Sequence, residues 1–187
     1  MQAITIRILT PTSEVISDTN QIKKQIDYSN EDSYNGEFIG GLREGEGIYT
    51  FKDGDVYQGV FEGGVFQGKG NYTTEQGDVY EGTFIAGLAT GFGKIEFLTR
   101  DDVTEYNGQT LDGSAHGKGE VLFSSEDNYK GFLANGVFHG KGVLTYKNGD
   151  AYDGEYLNGV PTGQGKMLFA SSNIVMNRNI VNGVDRA

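Results

Sequence analysis

A unit of about 23 residues recurs six times between Tyr34 and Asn173, and this repetition constrains the fold more than any other feature of the chain. Each unit places glycines 2, 7, 11 and 13 residues after its first tyrosine, and the six units start at Tyr34, Tyr57, Tyr80, Tyr106, Tyr129 and Tyr152. A repeat of this length predicts an array in which each unit packs on its neighbours, rather than a globule around one central core. Such arrays present long surfaces, which favours a binding protein over an enzyme.

The composition argues against several classes of function. The chain has 187 residues, no cysteine and a formal net charge of −11. Without cysteine there is no disulfide, no thiolate nucleophile and no cysteine-based metal site. The acidic surplus disfavours nucleic acid, which needs a basic footprint, and anionic membranes, which attract clustered lysine and arginine. The sequence lacks the pattern of a signal peptide or a membrane-spanning run, and we expect a soluble cytoplasmic protein.

Each unit predicts two short antiparallel strands. Alternate side chains share one face of a strand, so Tyr57, Gly59 and Phe61 are expected to lie together on one face. Glycine weakens a strand, and flanking rings can compensate by covering its bare backbone. The second strand is expected to begin after the glycine at offset 13, and turn pairs such as Asp53-Gly54 join successive units. Residues 34–173 are therefore predicted to form an all-β, single-layer antiparallel meander of about twelve strands.

The N-terminal residues 1–33 lie outside the repeats and form a leader. Apolar and polar residues alternate over Ile4–Leu9, which predicts a strand that ends before Pro11. The spacing of Val15, Ile22 and Ile26 suits one face of a short helix, and a polar linker follows.

The C-terminal residues 174–187 follow the last complete unit and are predicted to form a degenerate half-repeat that caps the array. Terminal repeats are expected to be atypical because they must end the sheet. An uncovered sheet edge is otherwise a template for pairing with another chain. The sequence leaves open whether this segment caps the sheet or docks onto a partner.

The pattern Tyr-x-Gly-x-Phe-x-x-Gly-x-x-x-Gly-x-Gly resembles the MORN (membrane occupation and recognition nexus) repeat. The first three units match every specified position, and the other three keep the tyrosine and all four glycines. The resemblance implies a twisted single-layer sheet without catalytic activity, acting as an interaction module like those of ciliary and cytoskeletal proteins. Many members of the family carry a basic residue just after the glycine at offset 7, which supports contact with acidic lipids. Here only Arg43 is basic in those positions, which disfavours lipid binding.

The partner-binding surface is predicted from aromatic and apolar side chains. A single-layer sheet cannot bury both faces by itself, so rings of the tyrosine face are expected to line an open trough. The alternative is that the rings only cover the glycines of their own units. The predicted trough residues are Tyr57, Phe61, Tyr72, Tyr80, Phe84 and Tyr106. A second predicted surface comprises an opposite-face patch of Leu111, Leu122, Phe132, Leu157 and Leu168, and two hairpin-turn anchors, Phe66 and Phe138.

No residues have the spacing of a catalytic or metal site. His116 and His139 occupy equivalent positions in adjacent units, which favours a repeat-encoded structural role over a ligand pair. The Gly-Lys-Gly segments lack the Ser or Thr and the following helix that a phosphate loop requires. We therefore predict no catalytic residue, no metal and no cofactor.

These observations favour a non-enzymatic scaffold or adaptor that binds an extended or helical segment of a partner protein along the aromatic trough. A cytoskeletal or ciliary (axonemal) assembly is the expected setting. Two alternatives remain: a peripheral membrane tether that binds acidic phospholipids, and a regulatory subunit of an enzyme on another chain. A homodimer through a sheet edge or through the opposite-face patch is compatible with each of them.

Overall fold

The computed structural model of the chain describes residues 2–16, 22–181 and 183–185, and its regular structure there is entirely β-strand. In these residues no helix is long and apolar enough to span a bilayer. The strands are β1 (Ile22–Asp27), β2 (Ser33–Ile39), β3 (Leu42–Thr50), β4 (Val56–Glu62), β5 (Val65–Thr73), β6 (Val79–Ile85), β7 (Leu88–Glu96), β8 (Val103–Leu111), β9 (Ser114–Phe123), β10 (Asn128–Ala134), β11 (Val137–Thr145), β12 (Ala151–Leu157), β13 (Val160–Phe169), β14 (Ile174–Val181) and β15 (Val184–Asp185).

The chain divides into two compact units. The N-terminal unit comprises Ile6–Thr99 and contains β1 to β7, whereas the C-terminal unit combines Met1–Thr5 with Arg100–Ala187 and contains β8 to β15. Within each unit every strand pairs antiparallel with the next strand along the chain, so each unit is an open meander. Strands β2 to β13 are the twelve strands predicted for the repeats.

Each repeat is a hairpin whose second strand begins earlier than predicted. In the second repeat, β5 begins at Val65, directly after the turn Gly63-Gly64, rather than after Gly70. Both turn glycines have positive φ angles, 57° and 86°, as the tightest two-residue hairpin turn requires. The connection through Asp53-Gly54 is a different, longer turn, in which only Gly54 has a positive φ, 97°.

A continuous row of glycines crosses the strands, and tyrosine rings lie over it. Gly70 faces Gly59 in one neighbouring strand and Gly82 in the other. A β-carbon added to Gly70 would lie only 2.5 Å from a ring carbon of Tyr57, so the space that this side chain would need is already filled by the ring. The Tyr57 hydroxyl then donates a hydrogen bond to the Val60 carbonyl at 2.9 Å. The predicted covering of glycine by aromatic rings is confirmed, and we call this side of each unit the aromatic face.

The leader differs from both predictions made for it. Within Ile4–Leu9 the only regular pairing is a single bridge between Thr5 and Ser114, and the backbone of Ile4 bonds to Ala115 and Gly136. The predicted helix is also wrong where the structure describes it: residues 22–27 form β1, which pairs with β2. β1 pairs with backbone groups of β2 that would otherwise lie at an open sheet edge. Residues 17–21 of that predicted helix lie outside the described residues.

The predicted half-repeat contributes two further strands. β14 pairs with β13 over Gly163–Phe169, and the short β15 pairs with the end of β14. The third and fourth repeats, whose first tyrosines are 26 rather than 23 residues apart, are joined by residues 97–102, which lie between β7 and β8.

Candidate protein-binding surfaces

The rings of the aromatic face pack against one another. The Tyr57 ring stacks on Phe66 with 3.8 Å between the centroids and meets Phe84 of the next repeat edge-on at 4.9 Å. Aromatic pairs in these geometries add to the stability that burial alone provides. The predicted exposure of the trough is therefore wrong, and its six residues are at most 1% exposed: Tyr57, Phe61, Tyr72, Tyr80, Phe84 and Tyr106. That they contact a partner stays a prediction.

The two hairpin-turn anchors are also buried, which corrects their predicted exposure. Because β5 begins at Val65, Phe66 faces Phe61 on the aromatic face and stacks on Tyr57. In the C-terminal unit Phe138 stacks on Tyr129 with 3.6 Å between the ring centroids. Both residues belong to the packed rings and are at most 4% exposed.

Part of the leader lies on the aromatic face of the N-terminal unit. Residues 6–16 adopt no regular secondary structure. The backbone N–H of Leu9 donates to the hydroxyl of Tyr72 at 3.0 Å, and the N–H of Thr12 donates to the hydroxyl of Tyr49 at 2.9 Å. The two tyrosines belong to successive repeats, so the leader segment crosses the repeats while the sheet holds it by its backbone.

Arg43 also binds the leader segment. Its guanidinium donates to the carbonyl of Thr12 and, at 2.8 Å, to the carbonyl of Gly64. It also donates to the Tyr28 hydroxyl at 2.9 Å and lies 5.2 Å from the centre of the Tyr49 ring. The backbone of Thr12 is thus held at both its N–H and its C=O. Arg43 is only 3% exposed, and this burial keeps it from acting as a surface contact for lipid headgroups.

Two buried aspartates accept hydrogen bonds from the same tyrosines that hold the leader. The Tyr72 hydroxyl donates to Asp55 at 2.5 Å, and the same carboxylate accepts the backbone N–H of Glu75 at 2.8 Å. Burial raises the pKa of Tyr72 above its usual range, and the adjacent Asp55 carboxylate raises it further. Asp32 makes the equivalent bonds to Tyr49 and to Lys52. Sequence reasoning missed this role, although an aspartate two residues before the first tyrosine recurs in most units.

A cleft of about 260 Å³ opens in the last complete repeat of the C-terminal unit. Its lining combines the rings of Tyr152 and Tyr156 with apolar side chains that include Pro161 and Met167. Arg178 also lines it, and its guanidinium pairs with Asp185 at 3.1 Å.

The hydroxyl of Tyr152 differs from those of the first tyrosines of other repeats, and Tyr156 stands where the first three repeats have a phenylalanine. Tyr129 donates to the carbonyl three residues ahead, as Tyr57 does. In contrast, the buried hydroxyls of Tyr152 and Tyr156 have no hydrogen-bond partner among the described residues. Burial raises the pKa of both phenols above its usual range. A buried hydroxyl without a partner lowers the stability of the fold.

Most of the opposite-face patch is exposed as predicted. Leu168 is half-buried, whereas the other four residues are between 40% and 53% exposed: Leu111, Leu122, Phe132 and Leu157. Further exposed apolar side chains lie along β14, among them Ile174, Val175 and Met176. Whether the patch binds a partner stays a prediction.

Within residues 2–16, 22–181 and 183–185, no three histidine, aspartate or glutamate side chains form a group that could hold a metal ion. His116 and His139 lie in β9 and β11, at equivalent positions of adjacent hairpins.

Comparison with known families supports the repeat assignment. A family model described as MORN repeat matches residues 34–56, 57–79, 80–97, 129–151 and 152–174. These matches do not include the fourth unit, although β8 and β9 form the corresponding hairpin there. No curated protein matched the sequence.

The fold is also similar to those of solved structures. The chain is similar to the SAS-4 TCP domain of Drosophila melanogaster, in complex with a proline-rich motif of Ana2, with a TM-score of 0.52 and 11% identity. That match covers 94% of this chain and 99% of the other. It is also similar, at 8% identity, to virginiamycin B lyase from Staphylococcus aureus, covering 93% and 75% of the two chains. The TM-score of 0.21 is too low to carry an argument.

Proposed function

Because this chain belongs to the MORN repeat family, we propose that it is a non-enzymatic scaffold that binds a segment of a partner protein on its aromatic face. The leader is the observation that carries the proposal. Tyr49 and Tyr72 hold Thr12 and Leu9 through backbone N–H groups, which every residue except proline possesses. A face with such acceptors suits an extended polypeptide, and the surrounding rings suit its apolar side chains.

The partner segment is proposed to be extended, and proline is compatible with it. The leader that lies on the face contains Pro11 immediately before the bonded Thr12. The similar TCP domain is described in complex with a proline-rich motif, which supports the same kind of ligand for this chain. A cytoplasmic, cytoskeletal or ciliary assembly is the setting that the family resemblance favours.

The alternative roles have weaker support. A tether for acidic phospholipids would have to overcome a net charge of −11, and Arg43 is buried in contacts that include the leader residue Thr12. A regulatory subunit of an enzyme on another chain would use the same aromatic face. For homodimerisation, the exposed opposite-face patch is the supporting observation.

A labelled synthetic peptide with the sequence of residues 6–16 provides a direct test. In the full chain the resident leader competes for the same acceptors, so binding in trans is expected to be weak. The double variant Leu9→Pro/Thr12→Pro lacks both N–H donors of its own leader, and it is expected to bind the peptide at least tenfold more tightly. Fluorescence anisotropy measures both affinities.

A matched control keeps this test specific. Arg7→Pro makes the same kind of change at an exposed leader residue and is expected to behave as the unaltered chain. If the double variant binds the peptide no better than the control does, the aromatic face is not a receptor for extended polypeptide and the proposed function is wrong.

A further inference from the structure

Thr10 lies in the leader between the two residues that the aromatic face holds by their backbones. Leu9 donates its N–H to the Tyr72 hydroxyl, and Thr12 donates its N–H to that of Tyr49. Thr10 itself is exposed, and the segment around it adopts no regular secondary structure. Its hydroxyl is therefore accessible to a modifying enzyme.

The sequence Thr10-Pro11 is the type of site that proline-directed protein kinases modify. These enzymes phosphorylate a serine or threonine that is followed directly by proline. The chain has two prolines, and the other, Pro161, follows Val160, so Thr10 is the one residue that fits this pattern. Proline also disfavours the helical conformation for the residue before it. An extended residue is what the substrate groove of a kinase accepts.

A phosphate on Thr10 would lie among carboxylates. Thr10 lines a cleft of about 500 Å³ whose charged lining residues are Asp32, Lys52 and Asp53. Asp32 is buried, whereas Asp53 is exposed. The ammonium of Lys52 is already paired with Glu31 at 2.6 Å. Phosphorylation adds a charge of about −1.5 to −2 at neutral pH, and beside aspartates such a charge disrupts the local structure by repulsion.

We propose that Thr10 is a phosphorylation site and that its modification releases the leader from the aromatic face. A kinase transfers the γ-phosphoryl group of a nucleoside triphosphate to the Oγ1 atom of Thr10. An Oγ1–P bond forms, the bond from the γ-phosphorus to the bridging oxygen of the leaving nucleoside diphosphate breaks, and the hydroxyl proton is released. Repulsion from Asp32 and Asp53 then weakens the backbone hydrogen bonds on either side of Thr10.

Release makes the tyrosine acceptors available to a partner segment. This inference rests on the proposed scaffold function and adds to it the regulation of the same face, because a kinase weakens the competitor that occupies it.

A synthetic peptide of residues 6–16, made with and without phosphate on Thr10, tests the repulsion directly. Both forms are titrated by fluorescence anisotropy against Leu9→Pro/Thr12→Pro, whose own leader lacks the two N–H donors. The phosphopeptide is expected to bind about tenfold more weakly at low salt. The difference is expected to shrink at about 1 M salt, which screens exposed charges. Equal affinity, or tighter binding of the phosphopeptide through Lys52, would overturn the proposal.

Two further substitutions in that double variant test whether the cleft is the source of the repulsion. Asp53→Asn removes an exposed carboxylate of the cleft lining and is expected to reduce the difference between the two peptides. Glu62→Gln makes the same change of net charge at an exposed residue of β4 and is expected to leave the difference unaltered. Equal effects of both would assign the repulsion to net charge and contradict the proposal.

The full chain is then treated with a purified proline-directed kinase and ATP, with Thr10→Ala as the control. Mass spectrometry is expected to find one phosphate, located on Thr10, and none in the control. After removal of the kinase, the amides of Leu9 and Thr12 are expected to exchange faster with solvent. The unphosphorylated peptide is expected to bind the modified chain about tenfold more tightly than the unmodified chain. Absence of phosphate from Thr10, or unchanged exchange and affinity after its addition, would show that this residue is not such a switch.

Failure of this inference can be told apart from failure of the scaffold function. If the double variant binds the unmodified peptide tightly and phosphate has no effect, the aromatic face is a receptor and only its regulation is wrong. If the double variant binds that peptide no better than Arg7→Pro does, the proposed function is wrong and this inference fails with it.

Discussion

The repeated tyrosine has two structural tasks, and both explain why the pattern recurs with so little variation. The Tyr57 ring fills the space over Gly59 and Gly70, and its hydroxyl satisfies the Val60 carbonyl. Sequence alone predicts the first task, because a glycine flanked by aromatics in a strand needs cover. Sequence alone could not predict that the rings are buried. Their burial depends on Phe66, which stacks on Tyr57 because β5 begins as early as Val65.

The glycine row provides the first prediction. In Gly70→Ala, the new methyl group would overlap the Tyr57 ring, and overpacking of this kind costs about 1–3 kcal/mol of unfolding free energy. Urea unfolding followed by circular dichroism measures the loss.

Gly63→Asn is the control for that prediction. Gly63 has open space around it, and Asn135 and Asn158 adopt φ angles of 50° and 51° at the equivalent turn position. Its effect is expected to stay within about 0.5 kcal/mol, as for an ordinary surface change. Equal losses in the two variants would show that ring overlap does not determine which glycines can be replaced.

At the scale of elements, aspartate side chains connect successive inter-hairpin turns in several repeats. Asp55 lies two residues before the first tyrosine of the second repeat, and it receives hydrogen bonds from Tyr72 and from the backbone of Glu75, twenty residues further on. Asp127 and Asp150 bond to backbone N–H groups at the same separation. The turn that joins two hairpins is therefore held by side-chain bonds as well as by its own geometry.

Asp55→Ala tests this fastening. The substitution leaves a buried hydroxyl and an N–H without an acceptor, and each such group costs about 1–3 kcal/mol. We expect a clear fall in the urea midpoint and faster hydrogen exchange at Glu75. Asp53→Ala changes an exposed aspartate of the same connecting segment and should leave both measurements unaltered. If Asp53→Ala destabilised the chain as much as Asp55→Ala, turn propensity and not the buried carboxylate would hold the hairpins together.

The elements that could be predicted are those whose partners lie nearby in sequence. The repeat hairpins follow from the alternation of buried and exposed residues, as in β4 and β6, and from glycine turns. The leader was mispredicted because its structure depends on distant acceptors: Leu9 is bonded to Tyr72, 63 residues away, and Ile4 to Gly136. No local pattern in Ile4–Leu9 indicates that backbone groups of this segment will bond to a tyrosine hydroxyl and to the ends of hairpins instead of to a neighbouring strand.

At the scale of the whole molecule, stability depends on a large number of neutral phenols. The chain has 11 tyrosines, and burial raises the pKa of many of them. The repeat length predicted an array of hairpins, and the antiparallel meander confirms it. The open trough did not follow, because a face that looks exposed in a single repeat is filled by rings from its neighbours and, in the N-terminal unit, by the leader.

Alkaline pH should therefore destabilise the chain in a defined window. Burial raises the pKa of Tyr129 from 10.0 to about 12 in the folded chain, and the unfolded value lies near 10. Between these values the folded state binds more protons than the unfolded state, so stability is complete below pH 10 and falls as the pH rises towards 12. For this one residue the shift corresponds to about 3 kcal/mol of unfolding free energy.

Urea midpoints at pH 8, 10 and 11.5 measure the fall, and absorbance at 295 nm reports phenol ionisation. Because lysines also titrate there, the informative comparison is Tyr129→Phe, which should be less stable at pH 8 but lose less between pH 10 and 11.5. Parallel pH profiles for the two proteins would show that ionisation of this buried ring does not contribute to alkaline unfolding.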